Sequence, residues 1–180
     1  MIPSTIIGID PGSSNGGIAI WKKGELTKTI RMPKNEELNR LSVYFDHINE
    51  SNNDVVVFIE KIAMFLGDKD VGNVAKQYRL QQLKANYERI IAFLVHKKLP
   101  YVPTHPMSWQ STLKLRRKWE NDSEKKKAFK TYAQNCFPEL IVTLLSSDAL
   151  CLIQFAFRKY EDDLKWIQKN IKNEQNNSLF

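Results

Sequence analysis

Three acidic residues stand at the edges of apolar runs, where a carboxylate can do metal or acid–base chemistry. Asp10 closes IIGID and is followed at once by Pro11-Gly12. Glu60 closes VVVFIE, and Asp148 follows Ser146-Ser147 and opens the apolar stretch ALCLIQFAF. In open α/β sheets ligands gather beyond the carboxyl ends of the strands. If the two strands are neighbours, Asp10 and Glu60 converge, and a helix-start acid at Asp148 can join them. Three clustered carboxylates repel one another and do not all ionise without a cation. Oxygen-rich clusters suit Mg²⁺ or Mn²⁺. Two such ions about 3.5–4 Å apart clamp the attacking and leaving oxygens of a phosphodiester. Each residue also has a plainer use. Asp10 can start a turn, Glu60 can be a surface residue at a strand end, and Asp148 can cap a helix or sit in its first turn. The order and placement of all three together favour the shared site.

The elements that must position them follow from pattern. Residues 5–10 form an apolar strand, Asn15-Gly16-Gly17 has turn chemistry, and 18–21 and 26–32 complete an antiparallel meander. Apolar residues at Leu38, Leu41, Phe45 and Ile48 predict a helix over 36–49. Val55 to Ile59 is β-branched and apolar, a buried strand of parallel type. A loop over 64–72 precedes a long amphipathic helix that ends near Lys98, then a short strand at Tyr101-Val102. A brief helix is expected over 107–115. Another is expected over 125–136, capped by Asp122 or Ser123 and stopped at Phe137-Pro138. Residues 148–160 are apolar nearly all round, which predicts a buried helix. From about Lys172 the chain turns polar and Asn-rich, so 1–172 is expected to be one domain and 173–180 a frayed tail. The sum is an α/β fold, a mixed five-stranded sheet flanked by helices on both faces.

Bulk properties narrow the function. A chain of 180 residues with 42% hydrophobic content suits a single globular core. No apolar run approaches the roughly 20 residues that span a bilayer, and no signal peptide opens the chain, so a cytoplasmic protein without a membrane partner is expected. Cys136 and Cys151 form no CxxC pair, and His47, His96 and His105 lack ligand spacing, which argues against zinc or a disulfide framework. The formal net charge is +7. Between 111 and 130, Lys114, Arg116, Arg117, Lys118, Lys125, Lys126, Lys127 and Lys130 outnumber Glu120, Asp122 and Glu124, a local balance of +5. Such a cluster attracts a polyanion, most commonly nucleic acid; a solvated lysine-rich helix is the plain alternative. No GxxxxGK[ST] is present.

Taken together, IGIDPGSSNGGIAI, VVVFIEK and SSDAL resemble, in that order, the opening strand-turn-strand, the central strand and the late helix start of RuvC-type Holliday junction resolvases, within the RNase H-like superfamily. The resemblance covers nearly the whole chain. It implies that Asp10, Glu60 and Asp148 are catalytic and hold two Mg²⁺ ions per site, with Mn²⁺ able to substitute. It further implies a homodimer that cuts four-way junctions symmetrically, with forks and flaps as further branched substrates. Lys125, in SEK, falls on a basic residue that offsets charge on the scissile phosphate. Phe65, in the loop after Glu60, falls where an aromatic stacks on junction bases; Met64 is the alternate wedge, and a Phe folded onto the core is the plain use. Lys76, Arg79 and Lys84 on the long helix, with Lys114, Arg116, Arg117, Lys118, Lys126 and Lys127, would grip phosphates. Two positions depart from the family pattern. Leu145 stands where a fourth acid or a His is usual, and Gln110 stands near the first junction-contacting lysine. They keep open a junction-binding protein with weak or no cleavage. The divergent sequence and the Asn- and Lys-rich composition suggest a bacteriophage or other viral member. The GIDPG opening also resembles actin-like ATPases, which need a second such domain that 180 residues cannot supply.

Overall fold

Alternation along two adjacent strands decides which side chains share a face. The computed structural model describes residues 2–12, 16–22, 25–33, 41–42, 45, 54–62 and 73–177, with backbone only for 25–27 and 164–177. Strands β1 (Thr5–Asp10), β2 (Gly17–Lys22), β3 (Glu25–Arg31), β4 (Val55–Glu60) and β5 (Tyr101–Thr104) form one five-stranded sheet in the order β3-β2-β1-β4-β5. β1 pairs antiparallel with β2 and parallel with β4, in a register that sets Ile9 against Ile59. β5 lies parallel to β4 at the edge. Pro103 is tolerated there because an edge strand can lack one ladder donor.

The two-residue period splits the core into two layers. Ile7 and Ile9 of β1, with Val55, Val57 and Ile59 of β4, pack with Ile90 and Leu94 of helix α1 (Val74–His96) and with Leu41 and Phe45. Leu41, Ser42 and Phe45 are helical, in agreement with the helix expected over 36–49; its other residues lie outside the described set. Phe45 meets Phe93 edge to face at 5.5 Å. Ile6, Val56 and Phe58 point to the other layer, built by helices α2 (Pro106–Thr112), α3 (Asp122–Cys136) and α4 (Ser147–Asn177). Helices therefore cover both faces, as the patterning predicts.

α4 lies on β1, β2 and β4 and is covered in turn by α2 and α3. That sandwich explains its all-round apolar sequence: Ala149, Leu150, Cys151, Leu152, Ile153 and Ala156 are all fully buried. Trp21–Phe157 at 5.0 Å and Phe58–Phe155 at 6.0 Å, both edge to face, seat the helix on the sheet. It continues to Asn177, through the polar residues where a tail is expected from composition; 178–180 lie outside the described set. Cys136 and Cys151 are both free thiols.

Local details differ from the sequence reading. The cap of α3 is Asn121, not Asp122 or Ser123: its backbone is extended and its Oδ1 accepts from the Glu124 amide at 2.9 Å. The strand expected at Tyr101-Val102 runs on to Thr104. α2 starts at Pro106, behind His105, whose Nδ1 accepts from the Met107 amide. It ends in a Schellman turn, with Leu115 N–H donating to Gln110 O at 2.7 Å and Lys114 N–H to Ser111 O at 3.0 Å. Lys114 takes the left-handed position of that turn, at φ 57°, where glycine is usual.

Candidate functional site

Asp10 and Glu60 follow Ile6 and Phe58 on the same face, because each is an even number of residues further along its strand. They end neighbouring parallel strands, so both half-buried carboxylates arrive at the same end of the sheet. Asp148 comes from the first turn of α4, which lies over that face. Two glycines let the helix start come this close. A Cβ on Gly8 would collide with the Ala149 carbonyl, and one on Gly17 with the Leu145 carbonyl. The sequence thus places small residues on the strands directly beneath the segment that carries Asp148.

The three carboxylates are within electrostatic reach of one another. Burial, then Asp148 and Glu60, pushes Asp10 well above the usual carboxylate range. Burial, then Asp148, raises Glu60 to about 7. Burial raises Asp148, against the Ser147 hydrogen bond and the two nearby lysines. This is the behaviour of acids that cannot all ionise in one desolvated place without a cation.

One oxygen of each carboxylate is held. Gly12 N–H donates to Asp10 Oδ1 at 3.2 Å, Trp109 Nε1–H to Glu60 Oε2 at 2.8 Å, and Ser147 Oγ–H to Asp148 Oδ1 at 2.8 Å. Among the described residues the second oxygen of each accepts no hydrogen bond. Hard oxygen donors in mutual repulsion fit a divalent cation chemically. The geometry is open, however: among the described residues no three His, Cys, Asp or Glu side chains are disposed to hold an ion between them.

Two lysines of α3 supply opposing charge. Lys126 acts on all three carboxylates and Lys125 on Glu60 and Asp148. Lys125 also lies 5.6 Å from the Phe129 ring centre. Both are half-buried, whereas Lys127 is exposed. Lys114, Arg116, Arg117 and Lys118 are exposed on the α2–α3 connection. Arg117 is already engaged, paired with Glu124 at 3.1 Å and stacked 4.1 Å over Trp119. Lys76, Arg79 and Lys84 are exposed on α1, whose core residues belong to the opposite layer. Lys84 pairs with Glu88 at 3.5 Å. Phe65 and Met64 lie outside the described residues.

Leu145 is half-buried and offers no ligand. With Ile30, Arg31, Thr143 and Ser146 it lines a cavity of about 230 Å³ between β3 and the segment before α4. Gln110 is buried, and its carbonyl accepts from the Leu115 and Arg116 amides, a structural use.

Two contributors escape the sequence reading. Trp109 is fully buried, and a buried indole N–H requires an acceptor, which is the one signal that could have pointed to it. Asn86, also buried, donates to Pro11 O at 2.7 Å and so fastens the turn behind Asp10 from α1, while its Oδ1 has no partner among the described residues. An isolated Asn inside an amphipathic helix gives only a faint hint of that role.

No family model matches the sequence, and no curated protein matches it. Solved structures do resemble the fold. Thermus thermophilus RuvC in complex with a Holliday junction substrate superposes with a TM-score of 0.53 at 12% identity, over 87% of this chain and 95% of that one. A second Thermus thermophilus RuvC structure gives 0.51 at 14% identity, over 88% and 96%. With its mixed five-stranded sheet and helices on both faces, the chain therefore has the RNase H-like fold in the RuvC arrangement.

Proposed function

We propose that this protein is a structure-specific endodeoxyribonuclease that resolves Holliday junctions, and other branched DNA such as forks and flaps, by Mg²⁺-dependent hydrolysis. What supports the reading is that Asp10 and Glu60 end neighbouring parallel strands and that they, Asp148, Lys125 and Lys126 lie within electrostatic reach of one another. The fold shared with a RuvC that was solved on a Holliday junction supports the substrate class.

In this reading Asp10, Glu60 and Asp148 would hold the metal. Two Mg²⁺ ions, or Mn²⁺ in their place, would supply activation of the attacking water and stabilisation of the leaving 3′-oxygen. The chain's own residues do the rest. Gly12 and Ser147 hold one oxygen each of Asp10 and Asp148. Lys125 offsets charge on the scissile phosphate, and Lys126 is equally well placed to do so. Lys114, Arg116, Lys118 and Lys127 bind phosphates without reading sequence, and Arg117 contributes through its stack on Trp119. Lys76 and Arg79 contact DNA from α1, and Phe65 stacks on a junction base. The protein acts as a homodimer, and the exposed Val74 and Tyr78 on α1 offer apolar surface for a second copy. Among the described residues no helix is long and apolar enough to cross a membrane; work in the cytoplasm is part of the proposal. Phage or other viral origin belongs to the same reading and rests on the divergent sequence and composition alone.

A second reading is a junction-binding protein with weak or no cleavage. Leu145 and the open carboxylate geometry favour it. A labelled synthetic four-way junction separates the two. With Mg²⁺ or Mn²⁺, paired nicks in opposing strands are expected; retarded but uncut DNA would establish the binder instead. Forks and flaps in the same assay rank the substrates.

A further inference from the structure

The three carboxylates are held in unequal ways. Asp10 is held by an amide two residues on and Asp148 by its neighbour's hydroxyl, whereas Glu60 is held by a side chain 49 residues away, on helix α2. Resting on the nuclease reading, we propose that Trp109 is a positioning residue: its indole N–H fixes one oxygen of Glu60, and so sets the rotamer from which the other oxygen meets a divalent cation.

The chemistry suits that task. An indole N–H only donates, so it cannot compete with Glu60 for a cation. Its donor favours the ionised carboxylate, the form a metal needs. The ring cannot swing away, since Trp109 is fully buried and packs edge to face on Phe129 at 5.0 Å. Phe129 in turn meets Trp119 at 6.0 Å, and Arg117 caps Trp119 at 4.1 Å. A row of rings thus runs from the basic α2–α3 connection to the carboxylate. The segment expected to grip DNA and the residue that aims Glu60 belong to one packed unit.

The test compares Trp109→Phe, which keeps an aromatic ring and removes the donor, with Phe129→Leu, which loosens the same packing and keeps the donor. Mn²⁺ binding to the protein alone is read from the electron paramagnetic resonance of free Mn²⁺. W109F should bind Mn²⁺ about 10–100-fold more weakly, as loss of such an outer partner typically does. Its nicking of a four-way junction should recover at high Mn²⁺, and its junction binding without divalent ions should match the wild type. F129L should melt at a lower temperature yet lose much less Mn²⁺ affinity than W109F, because its donor to Glu60 remains. Wild-type Mn²⁺ affinity in W109F, or equal losses in both variants, would overturn the proposal. A measurement on the unmodified chain does not depend on the variants folding. Of the four tryptophan indole N–H resonances, the one assigned to Trp109 should shift on Mg²⁺ addition; an unmoved resonance would contradict the role. If wild type binds no Mn²⁺ and cuts nothing, the nuclease reading falls and this falls with it. If wild type does both and W109F is indistinguishable, this inference alone falls.

Discussion

Glu60 shows most plainly how burial and neighbouring charge act on a single side chain. Its value of about 7 lies above the 4.5 of an unperturbed glutamate, chiefly through desolvation and then Asp148. The folded state therefore holds the proton more tightly than the unfolded chain. That stabilising contribution is complete below about pH 4.5 and is lost as pH rises to about 7. Asp10 and Asp148 are shifted with the same sign. The metal-free protein should accordingly lose thermal stability from these groups between pH 5 and 8. Glu60→Gln should lose less, and Mg²⁺ should raise the melting temperature at pH 8 far more than at pH 5. Scanning calorimetry at both pH values checks this; a melt indifferent to Mg²⁺ at pH 8 would contradict it. The three acids were conspicuous in the sequence because each ends or begins an apolar run. Trp109 was not, because a buried tryptophan looks like core until its N–H partner is known.

At the scale of elements, the site depends on how closely the start of α4 approaches β1 and β2. Gly8 and Gly17 permit that approach, since any side chain there meets a backbone carbonyl of the segment bearing Asp148. Backbone yields less readily than a flexible side chain, so Gly8→Ala should act as overpacking, costing about 1–3 kcal/mol. It should also displace Asp148 and depress nicking beyond the loss expected from stability alone. Urea denaturation and single-turnover nicking check the two effects together; a variant of wild-type stability would contradict the close contact. Strands β1 and β4 and the helix α4 were readable from apolar runs, because burial on both sides leaves a continuous hydrophobic signal. The close-packing role of the glycines was not, since a strand glycine has several uses. The α3 cap was misread for a related reason. Asn121, Asp122 and Ser123 are all competent caps, and only the backbone angle selects Asn121.

For the molecule as a whole, charge and architecture act together. The layer that carries the carboxylates also carries the basic α2–α3 connection, while Lys76 and Arg79 lie on α1 in the other layer. Junction binding should therefore depend steeply on salt, and most of that dependence should come from one side. Neutralising Lys114, Arg116 and Lys118 should each lower the slope of log affinity against log salt by about one. Fluorescence anisotropy with a labelled junction measures it; an unchanged slope in the triple variant would place the DNA elsewhere. The α/β architecture was legible from the order of elements and from strand pairing by period. The distribution of the basic residues between layers was not, because net charge carries no direction.

The central claim, that Asp10, Glu60 and Asp148 share divalent ions to cut branched DNA, is tested most directly by Asp10→Asn on a labelled four-way junction. The substitution keeps the size of the side chain and removes its charge. Junction binding at wild-type affinity with Mg²⁺-dependent nicking abolished is the expected result. Nicking that persists in Asp10→Asn at the wild-type rate would contradict it.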